Sequence, residues 1–406
     1  MLKRIILITI LFFTLGSITD ARERFFEVQS VDTMKYSRDV AREMLKKPEF
    51  DREIDFQTKT IAEMGATHIA IATPYDEEFL PFLKRWVNTA RKYKLHVWFR
   101  GNWSGWEQWF GYPKITREEH LNKTKNFILS NPDLFTNGDI FTSCPECENG
   151  GPGDPRITRD IEGFRNFLIL EYRATQDMFK TIGRSVNTGY FSMNGDVTRL
   201  IMDKKTTEAL GGIVTTDHYV RTPEQVSDDA VQMGNQSKGK VVFGEFVAPI
   251  PDIHGNMTEE EQAAWVDKAL RLFIEKGKVT GVNYWTFKGG STTIINDRNE
   301  PKKVAEILKK YFKPKNLSGA VRDRAGNLLD DVKVVGKNRS TKTANGLFIL
   351  AVLPGENVTF SKSGYIGSAF RINSSSQDQI KDIVLIAHNE SIIDKIIAFL
   401  KRFLPF

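Results

Sequence analysis

Between Phe25 and Phe312 short apolar runs alternate with amphipathic stretches of helical period. An apolar run that is continuous rather than alternating is buried on both faces, and a helix after each run carries the chain back for a parallel neighbour. Eight candidate strands follow, at 26–31, 67–72, 96–100, 140–144, 185–191, 212–216, 241–246 and 281–286. Amphipathic stretches at 37–45, 81–93, 163–181, 206–210, 259–276 and 302–312 supply helices between them. Eight such units in residues 25–313 suit an α/β fold of the (β/α)8 TIM-barrel type, whose usual length is roughly 250 residues.

That architecture says where function should sit. Barrel sites are built at the C-terminal strand ends, where this chain carries Asp32, Tyr75, Arg100, Glu146, Asn194, Asp217-His218-Tyr219, Glu245 and Trp285. Two of these acids end apolar runs, Asp139-Ile-Phe-Thr-Ser-Cys-Pro-Glu146 and Lys240-Val-Val-Phe-Gly-Glu-Phe246. Two carboxyls brought together from separate strands is what cleavage of a glycosidic bond needs. One protonates the leaving oxygen while the other attacks, or activates water, on the opposite side of the sugar.

The loop after the third strand, Trp98-Phe-Arg-Gly-Asn-Trp-Ser-Gly-Trp-Glu-Gln-Trp-Phe-Gly-Tyr112, is rich in tryptophan. Indole faces stack on the C–H faces of pyranose rings, so Trp103, Trp106 and Trp109 are candidate sugar platforms; packing of the loop onto the barrel is the other reading. Arg100 is a candidate for orienting a hydroxyl or an acidic sugar, and His218 for a positioning hydrogen bond.

At 406 residues the chain has room for further domains. Residues 316–387 hold short β-type runs separated by turns such as Ala344-Asn-Gly346 and Pro354-Gly-Glu356, the pattern of a small all-β sandwich. Residues 1–21 read as a secretory signal peptide, a basic start before an apolar run too short for the roughly 20 residues of a spanning helix. An uncleaved anchor is the alternative, and either places the protein outside the cytoplasm, secreted or at the cell envelope. The tail, 390–406, is amphipathic at helical spacing and is expected to form a helix that either lies on a membrane surface through 391–406 or docks against a domain. The net charge of +6 is dispersed rather than gathered in a stripe, which argues against a nucleic-acid partner. Cys144 and Cys147 are the two cysteines, too few for a closed zinc site, and they frame the loop of Glu146 as a disulfide or as packed thiols.

The strand-end motifs resemble those of the retaining (β/α)8-barrel glycoside hydrolases that carry the acid/base on strand four and the nucleophile on strand seven. Gly244-Glu-Phe246 resembles the nucleophile strand, Asp217-His-Tyr219 the strand-six motif, and Tyr284-Trp-Thr-Phe287 the strand-eight tryptophan that floors a sugar subsite. The resemblance implies Glu245 as nucleophile and Glu146 as acid/base, with Glu148 as the alternative acid, about 5 Å apart. It implies a β-linked poly- or oligosaccharide substrate, no cofactor, and Arg100, Trp103, Trp106, His218, Tyr219 and Trp285 as substrate-binding residues. Pro145 stands where that clan usually has asparagine, a departure that favours the rival reading of a non-catalytic surface glycan-binding protein. The β-rich region resembles carboxypeptidase regulatory-like domains through Gly319, Asp323, Gly326, Thr343, Gly346, Phe348, Pro354, Gly355, Gly364 and Tyr365.

Overall fold

The structure, a computed structural model, describes residues 23–373 and 378–388. The expected signal segment 1–21 and amphipathic tail 390–406 lie outside the described residues. Among the described residues no helix is long and apolar enough to cross a membrane.

Seven parallel strands form one curled sheet: β1 Val28–Asp32, β2 His68–Ile71, β3 His96–Phe99, β4 Ile140–Phe141, β5 Ile213–Asp217, β6 Lys240–Phe246 and β7 Val279–Tyr284. Their order is β4-β3-β2-β1-β7-β6-β5, so the first strand pairs with the last and the sheet wraps around an interior. Val28 through Val31 lie opposite Gly281 through Tyr284 in that seam. The expected ring of eight strands is not formed, because 185–191 contains no strand. Irregular chain spans the gap between the edge strands instead, bridged at Ile140–Asn187 and Asn194–Asp217. Its local chemistry explains this. Gly189 sits at φ 85°, outside the extended region, and the Thr142 hydroxyl donates to the Tyr190 carbonyl at 2.8 Å in place of a ladder bond.

Helices cover the outer face, with apolar residues turned to the sheet. Glu259–Lys276 opens with a reciprocal box in which Thr258 and Glu261 satisfy each other's backbone N–H groups, and Thr116 with Glu119 does the same for Arg117–Ser130. Helices Asp51–Glu63, Arg117–Ser130, Gly195–Ile201 and Pro223–Ser237 were not among those expected from the sequence.

From Lys315 the chain is β-structured. One antiparallel sheet joins Arg339–Lys342, Lys333–Gly336, Asn357–Ser361 and Ser368–Arg371; the other holds Leu347–Val352, Lys315–Arg322, Gln379–Ile380 and Ile383–Val384. Both contribute to a separate core that includes Leu317, Val334, Leu350, Val358 and Phe360.

Candidate active site

Glu245 is the penultimate residue of β6, and the cluster around it draws on the ends of β1, β3 and β5. Arg100, directly after β3, is almost fully buried. Its Nη1 lies 3.1 Å from Glu245 Oε1 and 3.1 Å from Asp32 Oδ2; its Nη2 lies 3.3 Å from Asp217 Oδ2 and 3.2 Å from Ser192 Oγ. Burial opposes the guanidinium charge, but the three carboxylates outweigh it and raise the group's pKa. The Tyr219 hydroxyl donates to the other oxygen of Glu245, Oε2. Burial, and then the Glu245 charge, push the Tyr219 phenol well above its ordinary range, so it keeps the hydrogen it donates. Gly244 makes the approach possible, since a Cβ there would lie 2.4 Å from Asp217 Oδ1.

The other acids of the cluster behave differently. Burial raises the Asp32 carboxyl to about 7 against the pull of Arg100, and raises Asp217 in the same way. Neither is a freely ionised surface carboxylate.

Glu146 follows β4 in a tight loop closed by a Cys144–Cys147 disulfide with Cα atoms 5.1 Å apart. Its backbone is left-handed at φ 44°, a strained state for a residue with a side chain, and its amide is tied to the Ser192 carbonyl at 2.9 Å. Asn149 Nδ2 donates to Oε2 at 3.1 Å. Burial, then the charges of Glu245 and Glu148, push the Glu146 carboxyl up to about 8, against Arg100. Burial and like charge thus both favour the protonated form of Glu146.

Both glutamates line one cleft of about 390 Å³, with Asp32, Arg100, Tyr219, Trp285, Glu107, Trp109, Pro145, Tyr36 and Arg38. Glu148 is not on its wall. Its Oε1 accepts the Asn194 amide at 2.6 Å, so this buried side chain holds the neighbouring segment rather than facing the cleft.

Three residues expected at the sugar lie elsewhere. Trp106 is 1% exposed, stacks on Phe167 at 5.3 Å and donates to the Cys147 carbonyl at 3.0 Å. Trp103 is buried against Tyr75 and Phe127 and donates to Thr124 Oγ1 at 3.1 Å. Their indole faces are covered by protein, so the packing reading of that loop is the right one for both; Trp109 alone of the three reaches the cleft. His218 does not line the cleft either. Its Nε2 pairs with Asp229 Oδ2 at 2.7 Å, and burial lowers its pKa against that carboxylate.

Glu107 was missed. It lines the cleft beside Glu146, and burial, opposed by Arg38, raises its carboxyl to about 7. The signal was its place between Trp106 and Trp109, an acid inside an aromatic loop.

No family model matches the chain, and no curated protein matches it. Solved structures do resemble it. A GH5_18 protein from Streptomyces cattleya in complex with Manβ1-4GlcNAc aligns with a TM-score of 0.52 and 11% identity, over 73% of this chain and 85% of that one. A GH5_18 protein from Bifidobacterium longum subsp. longum with the same ligand aligns with a TM-score of 0.50 and 12% identity, over 74% of this chain and 83% of that one. An FMN-binding β-glucuronidase from Facaelibacterium prausnitzii aligns at 0.46 and 12% identity, and the chain spans 56% of its length. The fold is thus shared with the two GH5_18 proteins.

Proposed function

We propose that the protein is a retaining glycoside hydrolase acting on a β-linked poly- or oligosaccharide, with Glu245 as nucleophile and Glu146 as acid/base. The observation that carries this reading is the division of labour between two carboxyls lining one cleft. Glu245 is gripped on both oxygens by Arg100 and Tyr219, which fix an attacking carboxylate; Glu146 is held protonated by burial and by Glu245 itself. Glu146 would protonate the departing oxygen as Glu245 attacks the anomeric carbon. The ionised Glu146 would then take a proton from the water that cleaves the glycosyl-enzyme.

Trp285, on the same wall, is the reading's platform for the sugar at the cleavage point. Both Nη atoms of Arg100 are engaged by side chains of the chain itself, which supports an orienting part on Glu245 rather than recognition of an acidic sugar. The disulfide supports a site of action outside the cytoplasm. The β-structured C-terminal region is read as a carboxypeptidase regulatory-like accessory without a catalytic part, and the tail 391–406 as a contact with a membrane surface.

One observation favours the rival, a non-catalytic glycan-binding protein: Pro145 occupies the cleft wall without a side-chain donor. Incubation with a panel of 2-deoxy-2-fluoroglycosyl fluorides decides between them. A hydrolase acquires a mass adduct on Glu245, and Glu245→Gln neither reacts nor turns over substrate. An unlabelled wild-type protein that binds glycan points to the rival.

A further inference from the structure

The loop after β1 carries a feature that the catalytic reading does not use. Tyr36 lines the cleft yet is 62% exposed, and its backbone is left-handed at φ 58°. A strained aromatic residue presented to solvent at a cleft mouth must be held there by its surroundings. They are specific. The Lys35 amide donates to the Lys288 carbonyl at 2.9 Å, and Ser37 Oγ donates to the Met34 carbonyl at 2.6 Å. The Lys35 stem runs along Gly290, where a Cβ would approach Lys35 Cδ to 3.1 Å. Lys35 Nζ consequently lies 4.8 Å from the Tyr36 ring centroid and 5.8 Å from that of Trp285. No carboxylate among the described residues pairs with it.

We infer that Lys35 and Tyr36 form a second saccharide subsite beside Trp285, so that the substrate is an oligo- or polysaccharide rather than a monosaccharide glycoside. One ammonium within cation–π reach of both rings places Tyr36 and Trp285 as neighbours around it, each with a further ring face for a sugar unit of one chain. Pyranose C–H faces stack on such rings, and the ammonium between them donates to sugar hydroxyls. The subsite rests on the glycosidase reading of the cleft, and its test separates the two.

Hydrolysis and calorimetric binding are measured with β-1,4-linked gluco-, manno- and xylo-oligosaccharides of two to four units. The matching p-nitrophenyl monoglycosides are the short comparison. For the best-bound tetrasaccharide, Tyr36→Ala should weaken binding and raise KM about tenfold, the worth of one aromatic contact. The monoglycoside KM should change far less, and Tyr36→Phe, which keeps the ring, should stay near wild type. Tyr36→Gly, free of the backbone strain, should show the same loss with no fall in Tm, which separates a lost contact from a lost fold. Equal losses on long and short substrates, or no loss in Tyr36→Ala, would overturn the subsite. Wild-type protein that binds the tetrasaccharide without cleaving it would sink the hydrolase and leave the subsite to the affinity comparison. Protein that neither binds nor cleaves any of the panel would overturn both.

Discussion

Tyr219 donates its hydroxyl hydrogen to Oε2 of Glu245 while Arg100 holds Oε1 at 3.1 Å, so the carboxylate is fixed at both oxygens before any ligand arrives. Losing one hydrogen bond to a charged group costs about 1.5–3 kcal/mol, or roughly tenfold to a hundredfold in rate. Tyr219→Phe should lose turnover on that scale and keep its Tm within a few degrees. Steady-state kinetics beside a thermal melt check this, and an unchanged kcat would remove Tyr219 from the mechanism.

The pH profile should report Glu146. With Glu146 as the proposed acid its protonated form would be the active one, so kcat/KM should fall as pH rises through about 8. Glu148 adds a like charge that raises this value, and Glu148→Gln keeps an acceptor for the Asn194 amide while removing the charge. In that variant the alkaline limb should move to lower pH. A limb that stays in place would mean that Glu148 does not act on the acid.

Arg100 neutralises Asp32, Asp217 and Glu245 together. Arg100→Met leaves those acids without their cation, and breaking a buried charge pair in this way costs about 3–5 kcal/mol of stability. Protonation softens the loss. A carboxyl whose folded pKa is raised gives stability that is full below its unfolded value of about 4 and is lost as pH rises through the folded one. With Asp32 raised to about 7 even beside Arg100, urea midpoints of the variant should fall steadily between pH 4 and 8. A pH-independent deficit would contradict the charge argument.

Two tryptophans should respond in opposite ways. Trp106 is packed on Phe167 and His120, so Trp106→Ala should cost about 3–5 kcal/mol of stability. Trp285 is partly exposed on the cleft wall, so Trp285→Ala should leave the unfolding midpoint close to wild type and impair substrate binding. Denaturant unfolding of both, with KM for the second, distinguishes core from platform.

Much of this layout was legible along the chain. The alternation of apolar runs and amphipathic stretches located seven of the strands to within a few residues, because burial on both faces leaves a compositional trace that needs no tertiary information. The missing strand at 185–191 left one local warning, the glycine at position 189. It was lost through the bend at Gly189 and the Thr142 bond to Tyr190, which depend on what lies opposite. The helices Arg117–Ser130 and Pro223–Ser237 escaped notice because their polar, exposed faces dilute the period, although Thr116-x-x-Glu119 and Thr222-Pro223 are readable start signals.

At the site the same division holds. Residue type and position at strand ends are local properties, and they put Glu146, Glu245, Tyr219, Arg100 and Trp285 among the candidates, on the same footing as Trp103, Trp106 and His218. Which of them share one cleft is a property of the wrapped sheet. Only its curvature brings Arg100 from β3 onto a carboxylate of β6, takes Glu148 out of the cleft wall, and shows Trp103 and Trp106 to be core. Side-chain chemistry is written into the sequence; burial, which decides whether an indole meets sugar or protein and whether a carboxyl keeps its proton, arises when distant segments exclude water from it.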